Sequence, residues 1–251
     1  MSSPEESKLT HDAFLGGMVH LWQPVRGYRA GVDPVILAAS VKAQAGQSVL
    51  ELGCGAGAAI LCLGARISGL ALTGVEREPD FAALAARNGV DTLEVVPADI
   101  NDLPLSLRDR QFDHVLANPP YYDRHASRSS SDPLREAAHA ALTPLQDWVK
   151  VAAKRLKPKG MAHFIHRAER LPDLLAALPK SLGSVEVLPI TSRTGRVAER
   201  VILRARKNGR GDFVLHAPLV MHDGADHPGD HIKDYTATMR AVLRDGAALE
   251  F

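Results

Sequence analysis

From residue 48 onward, short apolar runs alternate with helical periodicities. That alternation predicts a doubly wound parallel sheet with helices on both faces. The expected strands are Ser48–Leu52, Ala71–Glu76, Leu93–Ala98, Phe112–Ala117, Met161–Ile165, Val185–Ile190 and Glu199–Arg206. The intervening helices are expected from Ala58 to about Ile67, over Pro79–Asn88 and over Leu171–Leu182. A further helix follows Thr143-Pro144-Leu145-Gln146, with Thr143 as cap, Pro144 at the first helical position, and Leu145, Trp148, Val149, Ala152 and Leu156 along one face. "KNGRGD" turns the chain into another apolar run, Phe213–Val220, and a last helix is expected near Tyr235–Leu243.

Residues 1–47 read as an N-terminal extension or lid packed on a domain of residues 48–251. Asp33-Pro34 starts a helix there, with Asp33 capping.

Composition narrows the setting. With 45% hydrophobic and 24% charged residues, the chain can bury a large core and is not disordered. A net charge of +1 means that any nucleic-acid partner must be held by a local patch. No run approaches the roughly 18 apolar residues of a membrane span, and "MSSPEESKLTHD" lacks a signal-peptide pattern. Two cysteines, Cys54 and Cys62, form no CxxC pair, which fits a reducing cytoplasm and gives no zinc site.

The first chemical signal is "VLELGCGAGAA", with Glu51, Gly53, Gly55 and Gly57 at alternate positions. Glycines after a first strand let the backbone turn tightly and approach a ligand at a helix N-terminus. The letters also satisfy G-x-G-x-x-A, so a nicotinamide dinucleotide is formally open. Glu51, two residues before the first glycine, favours instead a ligand with an ammonium group. Glu76 ends the second strand, 19 residues after Gly57, where an acid accepts ribose hydroxyls. Asp99 follows the third strand, placed to accept from an adenine amino group. Three acids at the carboxyl ends of successive strands describe a site for an adenosine carrying an amino acid, S-adenosylmethionine.

The second signal is "VLANPPYYDR", where a strand breaks into Asn118-Pro119-Pro120-Tyr121. By itself this is a proline-stiffened loop. Beside the cofactor turn it acquires chemistry. The Asn118 side-chain oxygen and the Pro119 carbonyl would accept two N–H bonds from a planar NH2 group, orienting it and stabilising the charge it gains. Tyr121 offers a ring for stacking.

These motifs resemble class I S-adenosylmethionine-dependent methyltransferases, specifically the small-methyltransferase-domain family with an NPPY motif, and most of all its tRNA(Val) adenine-N6 members. "LWQPVRGYRAGVDPVILAAS", the segment after NPPY and "LVMHDG…DYTATMRAVLR" carry the closer similarity. The resemblance implies a Rossmann-like fold with a seven-stranded, mostly parallel sheet containing an antiparallel strand. It implies that Glu51, Gly53, Gly55 and Gly57 hold the methionine end, Glu76 the ribose and Asp99 the adenine, with Arg77 and Ile100 as walls. It would also set Asp33 at the border of the methionine site, although capping explains that residue equally well. Asn118, Pro119 and Tyr121 would then orient the acceptor, with Asn118 also touching the cofactor. The implied partner is tRNA, in the cytoplasm. Between Arg193 and Arg210 stand seven basic residues and one acid. Arg193 and Arg196, on a loop expected at the carboxyl edge, and Arg124 and Arg128, after NPPY, are the candidate RNA contacts.

Three rivals stay open: methylation of a protein glutamine amide, methylation of a small molecule, and a non-catalytic cofactor-binding partner subunit. "MHDGADHPGDH" carries His222, Asp223, Asp226, His227, Asp230 and His231. It reads as a polar surface loop rather than a metal site.

Overall fold

The computed structural model describes residues 8–121, 143–224 and 234–251. A short N-terminal hairpin pairs β1 (Leu9–Phe14) with β2 (Val19–Pro24) and leads to α1 (Asp33–Ala39). The main sheet follows, with β3 (Ser48–Leu52), α2 (Ala58–Arg66), β4 (Ala71–Glu76), α3 (Pro79–Asn88), β5 (Leu93–Pro97), α4 (Leu105–Arg108) and β6 (Phe112–Ala117). After the undescribed residues 122–142 come α5 (Leu145–Arg155), β7 (Leu156–Arg167), α6 (Leu171–Ala176), β8 (Leu182–Thr191) and β9 (Ala198–Lys207). Two-residue strands β10 (Val214–Leu215) and β11 (Leu219–Val220) and helix α7 (Ala237–Asp245) complete the described elements.

The strand order is β10-β8-β9-β7-β6-β3-β4-β5, with β11 also pairing β8. Strands β3 to β7 run parallel, whereas β9 is antiparallel to both β7 and β8. The seven expected strands are thus present, and β9 is the antiparallel one. Its reversal gives β8 the direction of β7, so the loop after β8 emerges at the carboxyl edge.

Alternating side chains divide the sheet between two cores. Val115 and Ala117 of β6 join one core with Phe164, Leu203 and Trp148, while Leu116 joins Ile165, Ile202 and α2 on the other face. Strands buried on both faces are dense in apolar residues, which is why the bounds of β3, β4 and β6 were legible; β7 and β8 are longer than the expected Met161–Ile165 and Val185–Ile190, and Leu156 belongs to β7 and not to the preceding helix. Leu15, Val19 and Leu21 of the hairpin share a core with α1 and α2, so residues 8–47 pack as part of the body.

Three further expectations are corrected, and one element is new. The hairpin was not foreseen: β2 places Val19, Leu21 and Gln23 inward and His20 and Trp22 outward, and the polar members obscure that alternation. Helix α6 stops at Ala176, because Pro179 disfavours helical geometry before it, and Leu182 already belongs to β8. The run Phe213–Val220 yields only β10 and β11, and Phe213, Val214 and Leu215 are exposed. Pro144 is the extended N-cap of α5 and Thr143 makes no side-chain cap.

Three buried histidines on β6 and β7 set a pH dependence. His114 Nδ1 lies 3.2 Å from His163 Nε2, and His166 lies further along β7. Burial pushes His114 and His166 down to about 4 and His163 well below its ordinary value. An unfolded chain therefore binds protons below about pH 6.5 that the native state refuses, and stability falls as the pH drops. Between pH 6.5 and 5 the expected loss is about 1.5 kcal/mol for each of His114 and His166, with His163 acting in the same direction. Denaturant titrations across that range check this, and an unfolding free energy flat from pH 7 to 5 excludes it.

Candidate active site

The carboxyl ends of β3, β4, β5 and β6 and the N-terminal segment enclose one cavity of about 840 Å³. Its position follows from the strand order. β3 pairs β4 on one side and β6 on the other, and Leu52 stands opposite both Val75 and Ala117. Gly53 and Asn118, the next residues of β3 and β6, therefore emerge side by side at the switch point of the sheet, where ligands of open α/β folds bind.

The glycine turn forms the floor. Gly53 has φ +64°, and a Cβ there would lie 2.5 Å from Cη2 of Trp148, so the indole packs directly on the backbone. Gly55 also lines the cavity, at φ +54°. Gly57 does not line it. At φ +89° Gly57 is the left-handed N-cap that turns the chain into α2.

The acids occupy the walls. Glu51 is buried, and its Oε2 accepts the Ile60 N–H of the first turn of α2 at 2.9 Å. Burial drives its pKa up to about 8; the negative charge of Glu76 adds to the rise and the Ile60 N–H opposes it. Glu76 accepts the Gly55 N–H at 2.8 Å and the Glu78 N–H at 2.9 Å, so the same carboxylate ties the glycine loop to β4. Asp99 accepts the Asn101 N–H at 2.8 Å, and Arg77 reaches toward it at 3.7 Å. Ile100 is buried beside them and lines the cavity.

Asn118 and Pro119 lie on the opposite wall. Among the described residues the Asn118 side chain has no hydrogen-bond partner. Tyr121 turns its hydroxyl to Asp33, donating to Oδ2 at 2.8 Å, with its ring edge-on to His166 and Arg167 above it. Burial and the Asp33 carboxylate raise the Tyr121 pKa far above the ordinary phenol value.

Of the two readings open for Asp33, capping is excluded: Val32 is the N-cap of α1, and the Asp33 carboxylate lines the cavity, paired with Arg200. Two other cavity residues were not foreseen. Trp148 was read as a core position of its helix, and its partner glycine is distant in sequence. Tyr28 packs edge-on to Phe81, and burial together with the charges of Glu51, Asp33 and Glu76 pushes its hydroxyl up to about 12. Lone aromatics in a loop carry no periodicity from which to find them.

Of the candidate RNA contacts, Arg193 is corrected. Its guanidinium is buried against Asp234 and donates to the carbonyls of Asp223 and Gly224, so it clamps the C-terminal segment instead of meeting solvent. Arg196 is exposed on the same loop, and Arg124 and Arg128 lie outside the described residues. His222 binds Asp234 at 2.8 Å and stacks on Tyr235. Asp226, His227, Asp230 and His231 lie outside the described residues, and no His/Cys/Asp/Glu group suited to a metal occurs among those described. No helix among the described residues is long and apolar enough to cross a membrane.

These walls fit S-adenosylmethionine. A buried carboxylate suits an ammonium group, two strand-end acids suit a ribose and an adenine amino group, and a backbone free of Cβ atoms lets the cofactor lie close. The description "Methyltransferase small domain" matches residues 31–194. The tRNA1(Val) (adenine(37)-N6)-methyltransferase of Actinobacillus succinogenes is 30% identical, covering 78% of this chain and 83% of its own length. A predicted O-methyltransferase from Agrobacterium tumefaciens superposes with a TM-score of 0.70 at 26% identity, over 86% of this chain and 98% of its own. The 16S rRNA N2 G1207 methyltransferase of T. thermophilus, solved with AdoMet and guanosine, shares the fold at 20% identity and a TM-score of 0.57, over 79% of this chain and 50% of its own. The chain therefore belongs to the methyltransferase small-domain family and is an S-adenosylmethionine-dependent methyltransferase.

Proposed function

We propose that the chain methylates the planar amino group of adenine, at N6, in tRNA, and that it works in the cytoplasm. The observation that carries this reading is that Asn118, Pro119 and Tyr121 line the same cavity as Glu51, Glu76 and Asp99. The tRNA adenine-N6 name of the Actinobacillus relative supplies the substrate class.

When bound, S-adenosylmethionine supplies an electrophilic sulfonium methyl. Glu51 would accept from the ammonium, Gly53 and Gly55 would leave room for the methionine end, and Glu76 would accept from the ribose hydroxyls. Asp99 would accept from the adenine amino group, with Arg77 and Ile100 beside the ring. At the other wall, the side-chain oxygen of Asn118 and the carbonyl of Pro119 each accept one N–H of the acceptor. Two acceptors draw the NH2 toward the pyramidal geometry that frees its lone pair, and they stabilise the positive charge it gains. Tyr121 stacks on the base, a contact worth roughly 1–3 kcal/mol. The N-terminal segment, packed on the body, covers one side of the site as a fixed wall: Gln23, Tyr28 and Asp33 line the cavity from it. Arg196, exposed at the carboxyl edge, is available for phosphate, with Arg124 and Arg128 as further candidates.

Tritiated-methyl transfer to total tRNA, followed by nucleoside analysis, is the test. Label is expected in N6-methyladenosine. Label found only in protein, on glutamine amide, or only in small molecules overturns the assignment.

A further inference from the structure

Asp33 joins three segments that are remote in the chain. Its Oδ2 accepts the Tyr121 hydroxyl at 2.8 Å and the Arg200 Nε–H at 3.0 Å. Its Oδ1 lies 2.8 Å from the same Nε, out of line for a hydrogen bond, and has no other donor among the described residues. Asp33, Tyr121 and Arg200 all line the cavity. The Asp33 side chain is only 14% exposed, whereas Tyr121 is 36% exposed.

The other contacts of Tyr121 are less directional. His166 meets the ring edge at 5.2 Å between centroids, and the Arg167 guanidinium stands 5.6 Å above it. Neither fixes the ring's rotation as a short bond to an ionised acceptor does, and such charge-assisted bonds are roughly twice as strong as neutral ones. Arg200 orients the carboxylate in turn. α1 itself gains nothing from Asp33 by way of a side-chain cap.

We infer that Asp33 is a positioning residue for the methyl acceptor: by holding the Tyr121 hydroxyl against Arg200, it fixes the Tyr121 ring as a stacking wall beside Asn118. The inference rests on the acceptor reading proposed above. It separates the role of the Tyr121 hydroxyl, which orients the ring, from that of the ring, which meets the base.

The test is a double-mutant cycle of Asp33→Ala and Tyr121→Phe, with Asp33→Asn and Tyr121→Ala alongside. Methyl transfer to tRNA is measured at saturating cofactor, together with cofactor Kd and Tm. Asp33→Ala is expected to lower kcat about tenfold or more. Tyr121→Phe should cost a similar factor, and the double variant should be no worse than either single. Asp33→Asn, whose amide oxygen still accepts from the hydroxyl, should recover part of the loss; paired with Tyr121→Phe, it replaces Asp33→Ala in the cycle if that variant does not fold. Losses that multiply in the double variant, an unchanged kcat, or an effect confined to Tm or cofactor Kd overturns the inference. Tyr121→Ala with undiminished transfer removes the acceptor reading and this inference with it. An impaired Tyr121→Ala beside a fully active Asp33→Ala removes this inference alone.

Discussion

Replacing Asn118 with alanine is expected to lower kcat by about 10²–10³-fold, the cost of deleting one preorganised polar contact at a centre that gains charge. Cofactor Kd should change by no more than a few-fold, because the acids and glycines proposed to hold the cofactor lie on β3 and β4 or in the loops just after β3 and β5. Stability should change little as well: the Asn118 side chain is half-buried and has no hydrogen-bond partner among the described residues. Single-turnover transfer with cofactor calorimetry separates these effects. Turnover within about fivefold of the unaltered protein would remove Asn118 from the chemistry. A parallel collapse of cofactor affinity would place it in the cofactor subsite instead.

The second large effect belongs to Glu51. In the ligand-free protein its pKa is driven up to about 8, so at neutral pH the side chain is mostly protonated. An ammonium group needs the carboxylate. Binding must therefore pull the pKa down and release a proton, most fully near pH 6–7. Calorimetry in phosphate and in Tris should give binding enthalpies that differ by the ionisation heat of that proton, and identical enthalpies would sink the assignment. Glu51→Gln should weaken the cofactor by about 10–100-fold, the cost of one buried charge-assisted contact.

The same variant should stabilise the ligand-free fold. The folded-state pKa of Glu51 is raised, so its contribution is fully present below the ordinary carboxylate value near 4.5 and is lost as pH rises toward 8. The unfolded state is then the one that binds fewer protons, and the slope is about 1.4 kcal/mol per pH unit. The gain in Glu51→Gln at pH 8 is on the order of 4 kcal/mol. The buried histidines act in the opposite sense below about pH 6.5, so these four groups together favour maximum stability near that pH. A site that spends stability to keep a carboxylate away from water is a familiar mark of function.

The parts of this protein legible in its sequence are those governed by local rules. Strand bounds at Ser48–Leu52, Ala71–Glu76 and Phe112–Ala117 agree with the structure because strands buried on both faces are dense in apolar and β-forming residues, and Gly53, Arg77 and Asn118 break that density at once. Glu51, Glu76, Asp99 and Asn118 could be brought together because parallel strands deliver their carboxyl ends to one edge, whatever the helices between them do.

What only the tertiary structure decided is where a polar or aromatic side chain turns when its partner is remote in the chain. Asp33 beside Pro34 has the local grammar of a helix cap, yet Tyr121 and Arg200 draw it across the cavity. Arg193 stands in a basic loop at the correct edge, yet Asp234 buries it. Trp148 has helical spacing, but Gly53 makes room for its ring at the floor of the site. Sequence by itself determined the parallel strands of the sheet and the edge at which their carboxyl ends gather, since these follow from periodicity and strand direction. Tertiary structure decided the partners of Asp33, Arg193 and Trp148, since a long-range ion pair or ring contact depends on a distance that no local pattern encodes.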